Sequence, residues 1–437
     1  MNTEFGVLDL DVGSGPIGSA GADESSREFL FVNSASSVGS RAIAGLTRVG
    51  ILLGIARIYG PGSFGQVSLA ISLVEILRTF SEFGVDTVSI RKFAQVEPAD
   101  RPKLLASIAG TKLILGIFFY CIGVGLLFFV ADNRTEIQLG LIAGLTLLFA
   151  SVLGAISSYF QSSFSMSRIF RTTALGSAVS IIFAVVSIYS HAPLLLVMVA
   201  LPMADAVNLL LISRRLGVPF RMRFSVVEAL SLLRESLPVG VMAVFVVLYV
   251  RLDNVFVFKF AGAAALGMYA LCYRLIEPGL MVPAAFSTTT YALLSRPRHQ
   301  GGGVREVVGI VIKSMWPSYV LIAVVLIALT LVGRPFLKLA FPNYLAAYPV
   351  LIVLGLVLAV RAINVTLTAV LNSRAEYSLL AKIAAINLAF NILLVLLLVP
   401  KMGALGAAWA ALGTECLNTL MQGRSAVLVC SQLTRSI

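Results

Sequence analysis

Twelve apolar runs, each near the ~20 residues a helix needs to cross ~30 Å of hydrocarbon, leave this chain with a lipid bilayer as its solvent. They fall at about 37–58, 66–88, 105–130, 137–160, 172–190, 193–213, 237–258, 267–294, 309–332, 347–370, 377–399 and 404–430. Within lipid every backbone N–H and C=O must be satisfied inside the run, so each run is predicted to be a helix. Composition agrees: 58% of residues are apolar and 12% charged, and the mean hydropathy is +0.95, far from the range of a soluble domain. The expected fold class is an all-α integral membrane protein with about twelve transmembrane helices.

The net charge of +12 does not form a nucleic-acid surface, because the lysines and arginines are dispersed through short loops. Four cysteines lie inside or at the ends of apolar runs without metal-ligand spacing, and two histidines are too few for a histidine metal centre or a Ser/His/Asp hydrolase. No metal, cofactor or nucleic acid is therefore expected. Residues 1–32 set Glu4, Asp9, Asp11, Asp23, Glu24 and Glu28 among Gly and Ser, and read as a disordered acidic tail with no cleavable signal.

Cations follow every second run: Arg91, Lys92, Arg101 and Lys103 after the second, and Arg214, Arg215, Arg221, Arg223 and Arg234 after the sixth. The intervening loops hold few. The positive-inside rule then places both termini and the even-numbered connections in the cytoplasm. Residues 215–236 form the longest internal connection, with Val226, Val227, Leu230 and Leu233 at helical spacing, the pattern of an amphipathic helix at the membrane surface or of a solvated linker helix. This linker separates a first lobe, 33–214, from a second, 237–437, with six spans each. The lobes look duplicated: Gly60, Gly65 and Glu75 recur as Gly262, Gly267 and Glu277 at an offset of 202 positions, and Arg57 matches Lys259 in sign. Six spans per repeat make the two copies parallel, related by an axis along the membrane normal.

A charge at the middle of a bilayer costs roughly 2.5–3.5 kcal/mol on insertion scales, so those retained there mark a pathway or a structural pair. Arg41 and Arg48 share one face of the first span, and Glu75, Arg78, Glu82 and Asp86 form a polar stripe on the second. The second lobe carries Arg251, Asp253, Arg274, Glu277 and Arg361. Glu75 with Arg78, and Arg274 with Glu277, have the i,i+3 spacing of structural pairs. Arg48, Arg251 and Arg361 have no acid at i±3 or i±4 on their own helix. Uncompensated guanidiniums lining a cavity between lobes would suit a phosphate or pyrophosphate. Asp253 is left between pairing with a first-lobe arginine and binding a coupling cation. Pro278 and Pro283 interrupt the eighth span and are candidate bending points.

Three stretches carry a family resemblance. In the first, Arg57, Gly60, Pro61, Phe64 and Gly65 are followed by Phe83, Gly84 and Val85; in the second, Arg251 and Asp253 precede Gly262, Gly267, Tyr269 and Arg274. The third runs through Asn387, Asn391, Pro400, Gly403, Gly406, Ala407 and Ala408. Their order and spacing resemble bacterial polysaccharide flippases of the Wzx type, within the multidrug/oligosaccharidyl-lipid/polysaccharide exporter superfamily. The resemblance implies two six-helix lobes in a V, and transfer of a polyprenyl-pyrophosphate-linked oligosaccharide from the cytoplasmic to the outer leaflet of an inner membrane by alternating access, without covalent chemistry. It implies substrate-binding roles for Arg41, Arg48 and Arg251, beside which the charge pattern sets Arg274 and Arg361. Glu75, Arg78, Asp86, Asp253 and Glu277 remain ion-coupling or pairing groups. A polysaccharide polymerase or assembly complex is the candidate protein partner.

Three other readings compete. A cation-coupled multidrug exporter would share the helix count and lobes but should favour an acid-rich cavity, whereas the first span is cationic and has no acid. A lipid II flippase is closer in substrate, but its family usually carries two more helices. A polysaccharide polymerase needs a large catalytic loop, and no outside loop here exceeds about fifteen residues. The Asn133 sequon is read as a chance match.

Overall fold

In the structure, a computed structural model, residues 20–216, 222–296 and 303–433 are described. Nine helical segments long and apolar enough to cross a membrane lie among them: Ala35–Gln95, Arg101–Val130, Arg134–Ser162, Met166–Tyr189, Leu194–Arg214, Val226–Leu294, Val304–Ala340, Pro342–Ser373 and Tyr377–Ser431. Three of the nine contain a glycine with non-helical dihedrals: Gly60, Gly262 and Gly403. Each of these is a hairpin. Arg48 and Glu75 are 27 positions apart, ~40 Å along a straight helix, yet their side chains meet at 3.3 Å. Arg251 and Glu277 likewise meet at 3.1 Å across Gly262, and Asn387 and Asn418 at 2.9 Å across Gly403. Among the described residues, nine segments of which three fold back on themselves are compatible with the twelve apolar runs.

The hairpins need those glycines. Gly60 has φ 77° and ψ 177°, and Gly262 has φ 86° and ψ 173°, a region open almost only to glycine. Two glycines at equivalent positions with the same rare conformation mark the repeat in the backbone itself. The repeat also packs on itself. A Cβ on Gly65 would sit 1.8 Å from the carbonyl oxygen of Ala263, and one on Gly267 would sit 1.9 Å from that of Pro61. Each contact is the image of the other under the 202-residue offset, so the second and eighth passes cross backbone to backbone.

Apolar packing gives the two halves their relation. One large core unites both: Ile55, Phe64 and Leu147 belong to it together with Val257, Tyr269, Leu354 and Val399. Toward the basic loops the core divides. Phe93, Leu105, Ile156 and Phe160 form one cluster in the first half, while Leu294, Val307, Leu371 and Leu380 form another in the second. Shared packing on one side and separate packing on the other is the anatomy of a V that widens toward the basic loops. On one flank the arms stay tied: Glu235 lies 2.6 Å from Lys92 and 3.1 Å from Arg91, and Gly240 abuts Phe83. Large apolar side chains face outward, among them Phe129, Leu339 and Val227, as lipid contact requires.

Several local expectations change. The first helix begins at Ala20, so residues 20–32 are helical where the acidic composition predicted disorder; the rest of that tail, residues 1–19, lies outside the described residues. The expected linker helix is present from Val226 onward but runs straight into the seventh pass, and residues 217–221 of that linker are outside the described residues. Pro278 sits in a 3-10 turn, Glu277–Leu280, that interrupts the eighth pass, whereas Pro283 lies inside the helix Met281–Leu294. Asn133 is the N-cap of the fourth pass: its side chain accepts from the Glu136 N–H at 3.0 Å, and Glu136 accepts from the Asp132 N–H at 2.7 Å. Two backbone donors at the helix start are thus satisfied reciprocally, as in a capping box but with Glu136 reaching the residue before the cap.

Candidate functional site

The buried charge of the two halves converges where they join. Glu75, on the second pass, lies 3.3 Å from Arg48, 2.6 Å from Arg251 and 3.7 Å from Arg274. Glu277 lies 3.1 Å from Arg251 and 2.8 Å from Arg274. One first-half carboxylate thus bridges to two second-half guanidiniums. The pairing repeats across the molecule: Arg48 with Glu75 around one glycine hairpin, Arg251 with Glu277 around the other. Beside the cluster the Asn254 amide donates to the Ser72 hydroxyl at 2.7 Å, another tie between halves.

Three guanidiniums share two carboxylates in direct contact here, with Asp205 near Arg48 and Asp253 near Arg251 within electrostatic reach, so every arginine in the junction has an acid. The expectation that Arg48, Arg251 and Arg361 stand uncompensated fails. Each finds its acid on another pass, beyond the reach of a search at i±3 and i±4. Arg361 pairs with Glu415 at 2.6 Å and donates to the Tyr273 hydroxyl at 2.5 Å. The Asn364 amide donates to the other Glu415 oxygen at 2.6 Å, and Tyr249 donates to Glu415 as well. The expected Glu75–Arg78 pair is also replaced: Arg78 turns to Glu82 at 2.7 Å, leaving Glu75 to the junction. Arg274–Glu277 forms as its spacing implies.

Asp253 forms no ion pair with a first-lobe arginine among the described residues. Its carboxylate accepts from the Tyr269 hydroxyl and from the Asn254 backbone N–H, so a tyrosine and a peptide satisfy it within its own hairpin. Asp86 pairs with the fully buried Lys112 of the third pass, away from the junction. Arg41 is exposed, two turns nearer the basic loops than Arg48. The structure therefore brings Arg48, Arg251, Arg274, Glu75 and Glu277 together, sets Arg361 in a neighbouring group, and leaves Arg41, Arg78 and Asp86 outside. Sequence reading missed Tyr249 and Tyr273. No charge pattern flags them, and only the fold shows that they touch buried ions.

Tyr273 links the two groups. Its ring lies 6.0 Å from the Arg251 guanidinium carbon and 5.8 Å from that of Arg361, within cation–π range of both. Beyond Arg361, in the half of the second lobe nearer the basic loops, opens a cavity of about 620 Å³. The seventh, eighth, tenth, eleventh and twelfth passes line it. The open space expected between lobes is thus replaced at the junction by ion pairs, and this cavity belongs to the second lobe. Among the described residues no group of three His, Cys, Asp or Glu side chains could hold a metal.

Two helical lobes that share one core, part toward the basic loops and hold a cluster of buried ion pairs at the seam define a polytopic membrane protein. The chain belongs to the family of polysaccharide biosynthesis proteins, whose family model matches residues 55–315. No curated protein sequence matches it. Among solved structures, the lipid II flippase MurJ in an inward closed conformation shares the fold with a TM-score of 0.75 and 14% identity, over 92% of this chain and 90% of that one. An inward-facing multidrug resistance transporter of the MATE family, in the MOP superfamily, matches with a TM-score of 0.67 and 14% identity over 90% and 98%. A MOP superfamily transporter from Pyrococcus furiosus, described as having a binding pocket of reverse polarity, matches with a TM-score of 0.53 and 13% identity over 93% and 94%. At these identities the likeness is one of fold.

Proposed function

We propose that the protein flips a polyprenyl-pyrophosphate-linked oligosaccharide from the cytoplasmic to the outer leaflet of an inner membrane, with its basic loops and both termini in the cytoplasm. The observation that carries this reading is the junction cluster, where Arg48, Arg251 and Arg274 outnumber Glu75 and Glu277 and bridge the lobes. Planar guanidiniums bind phosphate oxygens through paired donors. A pyrophosphate can take over the donors that Glu75 now engages, and the carboxylate that ties the halves is then released. Substrate binding and lobe separation thereby become one event, which is what alternating access requires. The polyprenyl chain stays in lipid. Family membership supports the polysaccharide pathway, and a polymerase or assembly complex would receive the product.

The test reconstitutes the full chain in liposomes with a fluorescent polyprenyl-pyrophosphate oligosaccharide and reads its leaflet with a membrane-impermeant quencher. Wild type is expected to flip the lipid. Arg251→Ala is expected to slow flipping on the order of a hundredfold, the effect of about 2–3 kcal/mol lost from a charge-assisted contact. If wild type does not flip the lipid while cationic dyes leave the liposomes under a proton or sodium gradient, the protein is a drug exporter.

A further inference from the structure

The cavity of the second lobe has no net charge. Its ionised lining groups are Arg361 and Glu415, which neutralise each other at 2.6 Å. The remaining polar lining is amide and hydroxyl. Asn387 and Gln422 both donate to the Asn418 side-chain oxygen at 2.9 Å, and Thr368 donates to Gln422 at 3.1 Å, a ladder running through the tenth, eleventh and twelfth passes. Two acceptors stand outside it: the side-chain oxygens of Asn372 and Asn387 are buried without a partner. Both residues line the cavity, and a turn of either carboxamide would present its oxygen to an occupant. Tyr249, Tyr291 and Tyr377 add aromatic rings, and aliphatic side chains complete a volume within the ~300–1,000 Å³ of small-molecule sites.

A phosphate would favour a net positive lining and an organic cation a net negative one. Carboxamides converging on an apolar, aromatic wall suit a ligand with many hydroxyls, whose C–H faces pack on rings while its O–H groups meet amide oxygens. The location fits as well, since the Tyr273 ring lies within about 6 Å of both Arg361, at the cavity wall, and Arg251 in the junction cluster. We infer that this cavity is a saccharide subsite, taking the sugar units next to the pyrophosphate when the lipid-linked oligosaccharide of the proposed function sits with its pyrophosphate on the junction arginines. Specificity for the first sugars then resides in the second lobe, apart from the groups that hold the anion.

The experiment measures binding to the full chain in nanodiscs of undecaprenyl pyrophosphate and of the same lipid carrying glucose, galactose or N-acetylglucosamine. At least one sugar-bearing lipid is expected to bind wild type on the order of tenfold tighter than the bare lipid, the increment of one or two added hydrogen bonds. Asn372→Leu is expected to erase that increment without lowering thermal stability, because the oxygen it removes has no partner in the empty protein. Ala384→Phe, which fills the cavity from the eleventh pass, should erase it independently. Equal binding of bare and sugar-bearing lipids by wild type, or an increment that survives both substitutions, overturns the saccharide subsite even if the bare lipid binds. Failure of the bare lipid to bind overturns the pyrophosphate reading, and a cavity that instead takes tetraphenylphosphonium, lost in Ala384→Phe, reassigns it to a cation.

Discussion

Replacing Glu75 with alanine is expected to cost about 3–5 kcal/mol of stability, the range seen when one partner of a buried ion pair is removed. Glu75 faces three arginines, at 3.3, 2.6 and 3.7 Å. Without it Arg48 loses the acid it pairs with, and Arg251 and Arg274 share Glu277 alone. The loss should appear as a fall in melting temperature of the purified protein in detergent. In the double variant with Arg251→Ala the two losses should sum to less than their independent total, because the second substitution removes one of the stranded charges. A cost below about 1 kcal/mol, the worth of an exposed surface pair, would mean that the cluster is open to water and loosely held.

Gly65→Ala should be comparably damaging for a different reason. The added methyl would lie 1.8 Å from the Ala263 carbonyl oxygen, and a backbone atom cannot move aside as a side-chain tip can. The halves must separate at the crossing or the helix must bend; overpacking of this kind costs about 1–3 kcal/mol even where side chains yield. Gly267→Ala meets the Pro61 carbonyl oxygen at 1.9 Å and should behave alike. Since both act on one crossing, combining them should add little to either alone. Melting temperatures of the two single variants and the double variant test this directly: full additivity would show that the two glycines do not share a contact.

Periodicity and charge made much of the fold readable. A hydrophobic run long enough for a bilayer needs no partner to declare itself, so the twelve passes follow from composition along the chain, and the glycine repeat at a fixed offset anticipated the paired hairpins. What the residues alone did not show was pairing between passes. Arg361 and Glu415 are 54 positions apart, and Asp86 and Lys112 are 26 apart; nothing in either neighbourhood names the other. Glu75 has an arginine at i+3 that a helix brings near, yet Arg78 is better served by Glu82 one turn on, and Glu75 turns across the seam instead. Local spacing proposes a pair, and tertiary packing decides whether it forms. Asn133 illustrates the opposite case, where the residue of a three-residue motif proved to be a helix N-cap whose partner Glu136 lay in plain view three positions on.

In the proposed function Glu75 occupies guanidinium donors that a pyrophosphate takes over. Glu75→Gln tests it most directly, because the amide keeps the shape and removes the competing charge. The measurement is the affinity of undecaprenyl pyrophosphate for wild type and Glu75→Gln in nanodiscs at one salt concentration. Freed of its internal rival, the variant is expected to bind the lipid on the order of tenfold more tightly, while being less stable when empty. Unchanged or weaker binding by Glu75→Gln would contradict the account, and would place the anion somewhere other than the junction of the two lobes.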